Sequence, residues 1–320
     1  MTSTSENAPE IVLPEAVMHR RTPKDPATAT VVKNELCTAK KAAGYVRHIE
    51  IDVGGTELEN CCLPGQAIGI LADGVDENGK PHKVRLYSIC SPTGGEDGKG
   101  RIIATTVKRM IDEHWESRKL FVGVSSNFLC DRKPGDEVKV SGPNGKRFLC
   151  PVNRNDYSYI FFATGTGIAP FRGMALDLLR GGCTKPIYLV MGAPYATDLL
   201  YHAEMLSLAE KHENFQYVTA ISREKQRDGH DPLYIQDRIR TERDQLLPVL
   251  GDESTLIYIC GIAGMELGIF QQLALNLNGS ALEQYLQVDP EALADIRRWD
   301  RRMIHKQVRP TRRVFMEVYA

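Results

Sequence analysis

Residues 159–170 constrain the fold more than any other stretch. Tyr159-Ile160-Phe161-Phe162-Ala163 is an unbroken apolar run, Thr164-Gly165-Thr166-Gly167 is a Gly-rich turn, and Pro170 stands near the start of a segment with helical spacing. An apolar run of this length predicts a strand buried on both faces, as in a parallel sheet. Proline suits the first turn of a helix. Glycines let backbone N–H groups come close to a phosphate, and a helix N-terminus favours its negative charge. The third glycine of the full dinucleotide fingerprint is missing. On these residues alone the turn reads equally as a nucleotide loop or as a tight strand-to-helix connection.

Further apolar runs follow at 187–191, 215–221 and 256–260, separated by helical stretches. That alternation predicts a doubly wound α/β domain with a parallel sheet. The N-terminal half differs. Residues 45–51, 67–71, 84–89, 101–107 and 137–140 read as short strands, with turns at Asn78-Gly79, Gly94-Gly95, Pro134-Gly135 and Asn144-Gly145. Short strands at this spacing, without long helices between them, predict a small antiparallel barrel. The expected organisation is a disordered leader over 1–30, a β-barrel domain over 31–153 and an α/β domain over 154–320. The leader is polar, with Glu6, Glu10, Glu15 and Asp25, and has neither an apolar signal core nor the Arg-rich, acid-poor look of a transit peptide.

Charge excludes little except a general pull toward nucleic acid or anionic membrane. There are 40 Lys+Arg against 41 Asp+Glu. No run approaches the ~18–20 apolar residues that span a bilayer. The eight cysteines include no Cys-x-x-Cys, so zinc ribbons, thioredoxin-type pairs and ferredoxin-type clusters lack their ligand spacing. Most read as small buried hydrophobes. Thiols kept apart in this way suit a reducing, cytoplasmic setting.

Two more segments carry candidate chemistry. In Arg85-Leu86-Tyr87-Ser88-Ile89 an alternating strand puts a cation and a ring on one face and a hydroxyl on the other. Ser222-Arg223-Glu224 follows a buried strand, at the end where doubly wound folds bind ligands, with Tyr234-Ile235-Gln236 beyond it. A hydroxyl, a guanidinium and a ring suit a 2′-phosphoadenosine. Both segments also read as solvated surface.

Five ordered blocks tip these readings. They are Arg85-Leu86-Tyr87-Ser88, Gly123-Val124-Ser125-Ser126-Asn127-Phe128-Leu129-Cys130, Gly165-Thr166-Gly167-Ile168-Ala169-Pro170-Phe171-Arg172, Tyr258-Ile259-Cys260-Gly261 and Glu317-Val318-Tyr319. Together they resemble the plant-type ferredoxin–NADP(+) reductase family, from about Val31 onward. The resemblance implies an FAD-binding barrel followed by an NADP(H)-binding α/β domain. It implies an enzyme that moves electrons between NADP(H) and ferredoxin or flavodoxin through noncovalent FAD. The alternative is the NADPH-dependent reductase component of an oxygenase system.

Carried over residue by residue, the resemblance gives the flavin to Arg85, Leu86, Tyr87, Ser88, Thr106, Lys108, Val124, Ser125 and Ser126. It gives the nucleotide to Thr164, Gly165, Thr166, Gly167, Ser222, Arg223, Tyr234, Gln236 and Gly261. Ser88, Cys260, Glu317 and Tyr319 form the expected hydride site, with Tyr319 covering the flavin; no metal is implied. Four departures stand out. Ala320 follows the tyrosine that usually ends the family's chains. Ala263 stands where the plant pattern often has lysine. The stretch from Gly261 to Tyr319 is longer than in plastid members and points to a bacterial branch. Pro232 also replaces a common lysine, with Arg227 the candidate substitute. Residues 296–313 hold eight Lys+Arg and one acid, Asp300, a basic segment suited to steering an acidic carrier.

Overall fold

A computed structural model describes residues 9–319. The chain divides into two compact units. The first is built from Pro14–Cys150 together with Ala169–Asp177. Its strands are β1 (Ala27–Leu36), β2 (Val46–Asp52), β3 (Ala67–Leu71), β4 (Arg85–Ser88), β5 (Ile102–Lys108), a short hairpin of β6 (Ile111–Glu113) and β7 (Leu120–Val122), and β8 (Glu137–Asn144). The six longer strands order as β4-β3-β8-β1-β2-β5, with every pair antiparallel. A bridge between Ile89 and Thr105 joins the end of β4 to β5, so the first strand meets the last and the sheet closes. Inward residues such as Val31, Ile49, Ile51, Ile68, Ile70, Val107, Val138 and Val140 are fully or almost fully buried. That alternation is why these residues form a barrel.

β1 corrects the expectation of a disordered leader through residue 30. Its first turn of pairing sets Ala27 against Val140 and Ala29 against Val138. The inward residues there are alanines, which leave almost no apolar signal in a Thr-Ala alternation. The preceding residues are tied down by polar contacts rather than by burial. Gln66 Nε2 donates to the Val17 carbonyl at 2.9 Å, and the Arg21 guanidinium grips Glu57 at 2.7 and 2.8 Å. Met1 to Ala8 of the expected leader lie outside the described residues.

Ala169–Asp177, expected wholly within the α/β domain, cluster with the barrel. Arg172 is buried and pairs with Glu96 at 2.6 and 3.2 Å while donating to the Cys90 carbonyl at 3.1 Å. Thr93 N–H reaches Asp177 at 3.0 Å. Gly173 is obligatory here, because a Cβ would lie 2.5 Å from the Ser91 carbonyl oxygen.

The second unit comprises residues 9–13, Pro151–Ile168 and the chain from Leu178 onward. Its parallel sheet is built from β9 (Ser158–Thr164), β10 (Ile187–Ala193), β11 (Phe215–Ile221), β12 (Thr255–Ile262) and, after a hairpin of β13 (Leu286–Val288) and β14 (Val308–Pro310), β15 (Val314–Tyr319). The order is β11-β10-β9-β12-β15. Successive strands step outward from β9 in one direction and then restart beside it with β12. The switch point, where doubly wound folds bind ligands, therefore lies at the carboxyl ends of β9 and β12. The sheet's core includes Ile160, Phe162, Val190, Ile257, Ile259, Ile269 and Phe270, all completely buried. Among the described residues no helix is long and apolar enough to cross a membrane.

Candidate functional site

The switch point of the α/β unit gathers most of the expected nucleotide residues. β9 ends at Thr164, and Gly165-Thr166-Gly167 form a single helical turn before helix α2 (Ile168–Arg180). Gly165 takes a φ of +53°, with open space where a Cβ would stand. Gly167 lies directly on the end of β12, where a Cβ would be 2.1 Å from the Cys260 carbonyl oxygen. Gly261 is equally confined: its φ is +147° and a Cβ would be 2.1 Å from Thr164 Oγ1. Thr164 Oγ1 in turn accepts the Ile262 N–H at 2.9 Å. Close packing thus requires glycine at 167 and 261, and the Gly-rich turn at the helix start suits an anion such as a pyrophosphate.

β15 lies parallel to β12 with Cys260 opposite Glu317 and Ile262 opposite Tyr319. Paired residues on neighbouring strands share a face of the sheet, which brings the thiol and the carboxyl side by side. Cys260 is 1% exposed; burial, then the Glu317 charge, raise its thiol far above the ordinary range. The thiol is thus protonated at neutral pH and offers a small polarizable surface, not a nucleophile. Desolvation pushes the Glu317 carboxyl up to about 7. Glu317 is exposed along the sheet's edge. The Tyr319 hydroxyl and Thr166 Oγ1 are hydrogen-bonded at 2.7 Å, and the Ala263 N–H donates to the Tyr319 carbonyl at 2.8 Å. Tyr319 therefore holds a defined position at the strand's end.

The expected phosphate-specificity residues sit at the carboxyl end of β11. Ser222 and Arg223 donate their N–H groups to the Ala193 and Pro194 carbonyls, both at 3.0 Å. The Arg223 guanidinium lies 5.8 Å from the Tyr195 ring centroid, and Tyr234 is 65% exposed. Residues that sequence reasoning missed hold this loop. Gln226 is buried and bonds both the N–H (3.0 Å) and the carbonyl (2.6 Å) of Ile221. Arg238, 2% exposed, donates to the Thr219 carbonyl at 2.8 Å and pairs with Asp228 at 2.6 Å and Glu242 at 3.0 Å. A buried, fully partnered guanidinium fixes the loop's backbone. The only local signal was a run of polar residues after a strand.

In the barrel unit, Arg85, Leu86, Tyr87 and Ser88 occupy β4. Arg85 is exposed and makes no ion pair among the described residues. Tyr87 packs against the barrel core, and burial pushes its phenol up to about 12. Leu86 points outward and is 59% exposed. Ser88 gives its carbonyl to Thr105 Oγ1 at 2.9 Å. Thr106 is buried and Lys108 exposed along β5. Val124, Ser125 and Ser126 form the first turn of helix α1 (Val124–Asp131), where free N–H groups favour a phosphate. Ser126 Oγ accepts the Met110 N–H at 3.2 Å. A free cation, uncovered apolar side chains and a helix N-terminus fit a flavin dinucleotide.

Residues 161–270 match a family model described as the oxidoreductase NAD-binding domain. With the closed barrel before it, this defines a two-domain, nucleotide-dependent oxidoreductase. The chain is 38% identical over 284 residues to a chloroplastic ferredoxin–NADP reductase, leaf isozyme 1, of Arabidopsis thaliana, covering 84% of this chain and 77% of that one. It is 39% identical over 253 residues to ferredoxin–NADP reductase of Spirulina sp, covering 77% and 85%. The solved ferredoxin–NADP+ reductase of Plasmodium falciparum shares the fold, with a TM-score of 0.69 over 93% of this chain and 98% of that one at 22% identity. The chain belongs to the ferredoxin–NADP reductase family.

Proposed function

We propose that this protein passes electrons between NADP(H) and ferredoxin or flavodoxin through one noncovalent FAD, in the cytoplasm of a bacterium. The observation that carries the reading is the switch-point cluster: a Gly-rich loop packs directly on the end of β12, with Cys260 and Glu317 in register beside it. Bound FAD would supply the exchange between a two-electron hydride and a one-electron carrier.

Each residue's part follows from its chemistry. Arg85 and the α1 N-terminus neutralise the flavin's pyrophosphate, and Tyr87 offers its ring to the isoalloxazine. The Thr164 to Gly167 backbone takes the nucleotide pyrophosphate, while Ser222, Arg223 and Tyr234 take the 2′-phosphoadenosine. Cys260, small and protonated, can lie near the nicotinamide without obstructing it. Ser88 would offer its hydroxyl to the flavin, and Glu317 holds a proton near neutral pH. Tyr319 competes with nicotinamide for the flavin face.

The test is a visible spectrum of the purified protein followed by anaerobic titration with NADPH. The expected result is a flavin spectrum of one FAD per chain, bleached by NADPH and recovered on adding oxidised ferredoxin. A colourless protein, or a flavin that NADPH leaves oxidised, would sink the reading.

A further inference from the structure

Cys61 and Cys62 are adjacent in sequence and play no part in the site above. In extended backbone, neighbouring side chains point to opposite sides. Here the turns closed by Thr56 N–H to the Val53 carbonyl and by Glu59 N–H to the Thr56 carbonyl fold the chain back. Both thiols then reach one acceptor: Cys61 Sγ lies 3.3 Å and Cys62 Sγ 3.7 Å from the Leu58 carbonyl oxygen. Cys61 Sγ also reaches the Glu57 carbonyl at 3.4 Å. Sharing that acceptor puts both sulfurs on one side of the chain.

The pair is asymmetric. Cys61 is partly open to solvent, whereas Cys62 is 6% exposed and packs in the barrel core with Val53, Leu58 and Ile68. The neighbouring Cys62 thiol, helped by the Arg20 charge, lowers the Cys61 pKa against its partial burial. The neighbouring Cys61 and burial raise the Cys62 thiol well above its usual range. The Glu57 carboxylate, one turn back in the chain, is held by Arg21 Nε and Nη2. A partly open thiol beside a buried one is the arrangement of an attacking and a resolving cysteine.

We propose that Cys61 and Cys62 form a redox-modification site, in which a hydroperoxide oxidises Cys61 and Cys62 resolves it as a vicinal disulfide. The Cys61 sulfur attacks the terminal peroxide oxygen. An S–O bond forms, the O–O bond breaks and the alkoxide or hydroxide leaves with a proton. The peroxide is reduced by two electrons and Cys61 becomes a sulfenic acid. The Cys62 sulfur, giving up its proton, then attacks the Cys61 sulfur. The S–S bond forms, the S–O bond breaks and water leaves. Adjacent Cα atoms are only about 3.8 Å apart, short of the roughly 4.4–6.8 Å at which disulfides usually sit. The bridge is therefore strained and easily reduced, which suits a reversible mark and not a structural staple.

Trypsin tests this directly. Between cleavage after Arg47 and after Lys83 (Lys80 precedes a proline) the peptide contains Cys61, Cys62 and no other cysteine. The full-length protein is treated with hydrogen peroxide, its remaining thiols are blocked with N-ethylmaleimide, and the peptide is weighed. The expected peptide has lost two hydrogens, carries no maleimide, and regains both thiols if dithiothreitol is added first. Cys62→Ser should leave a sulfenic acid at residue 61 that dimedone traps; Cys61→Ser should give neither dimedone adduct nor mass loss. A wild-type peptide carrying two maleimides after peroxide would overturn the proposal, as would sulfinic or sulfonic acid at Cys61 with Cys62 still free. The wild-type measurement decides the matter even where a variant fails to fold.

Discussion

Glu317 is the single side chain whose ionisation reports most directly on the site. Desolvation raises its carboxyl to about 7, so it keeps its proton through the range where an ordinary glutamate has lost it. Its folded pKa lies above the unfolded one. The stability it contributes is therefore fully present below the ordinary carboxylate range and is lost as pH rises through about 7. If it holds a proton for turnover, NADPH oxidation by a neutral acceptor should fall along the same limb. Glu317→Gln should lower the rate by roughly 100-fold, at the lower end of general acid–base effects, and remove that inflection. An unchanged inflection in the variant would clear Glu317 of the role. Arg223 makes a different prediction, because it acts on one phosphate. A charge-assisted contact contributes about 1.5–3 kcal/mol, so Arg223→Ala should raise KM for NADPH by at least about tenfold and leave NADH nearly unaltered. Equal losses with both nucleotides would remove Arg223 from 2′-phosphate recognition.

The loop between β9 and α2 works as an element because two of its glycines do different jobs. A methyl at Gly167 would meet the Cys260 carbonyl oxygen and the Gly261 Cα, at 2.1 and 2.8 Å, and neither backbone atom can step aside. Gly167→Ala should push the loop off β12, lose about 1–3 kcal/mol of stability and abolish the nucleotide difference spectrum. Gly165 faces open space, so Gly165→Ala pays only the left-handed backbone strain of about 1–2 kcal/mol and should still bind nucleotide. Thermal melts with and without NADP+ separate the two; equal binding by both variants would mean that the close packing at Gly167 is irrelevant. The sequence disclosed such elements unevenly. β9, β10 and β12 were legible because each is an apolar run buried on both faces, and β11, part-buried at the sheet's edge, from its remaining apolar residues. β15 was not, since Val314 to Tyr319 are mostly part-exposed at the sheet's edge, and only the family resemblance marked its last three residues. The pairing of Cys260 with Glu317 joins residues far apart in the chain, and no local pattern encodes a register. Gln226 and Arg238 were illegible for the same reason: their partners are backbone carbonyls and acids that only the folded loop brings together.

At the scale of the whole molecule, a near-neutral chain of net charge −1 carries a strongly uneven distribution. Of the eight cations in residues 296–313, Arg298 pairs with Asp295 at 3.0 Å, Arg301 with Glu266 at 2.8 Å and Arg309 with Asp289 at 2.9 Å. Arg313 reaches the Thr255 carbonyl at 3.5 Å. Among the described residues Arg297, Arg302, Lys306 and Arg312 make no side-chain ion pair, so their charge is left to act at a distance. Exposed pairs stabilise a fold by ~0–1 kcal/mol at most, and so folding alone gives little reason to gather so many cations in one segment. A field that draws in an acidic protein carrier does give one. It should act on the association rate and fade as the Debye length shortens from about 10 Å at 0.1 M salt to about 3 Å at 1 M. Replacing Arg297, Arg302, Lys306 and Arg312 together by Gln should slow ferredoxin association about tenfold or more at low ionic strength and flatten its salt dependence. NADPH oxidation by a neutral small acceptor should stay at the wild-type rate, because none of the four belongs to the proposed nucleotide or flavin contacts. Stopped-flow association measured from low to high salt decides it: if wild type and the four-fold variant follow the same curve, this segment is an ordinary solvated surface and the carrier is guided from elsewhere.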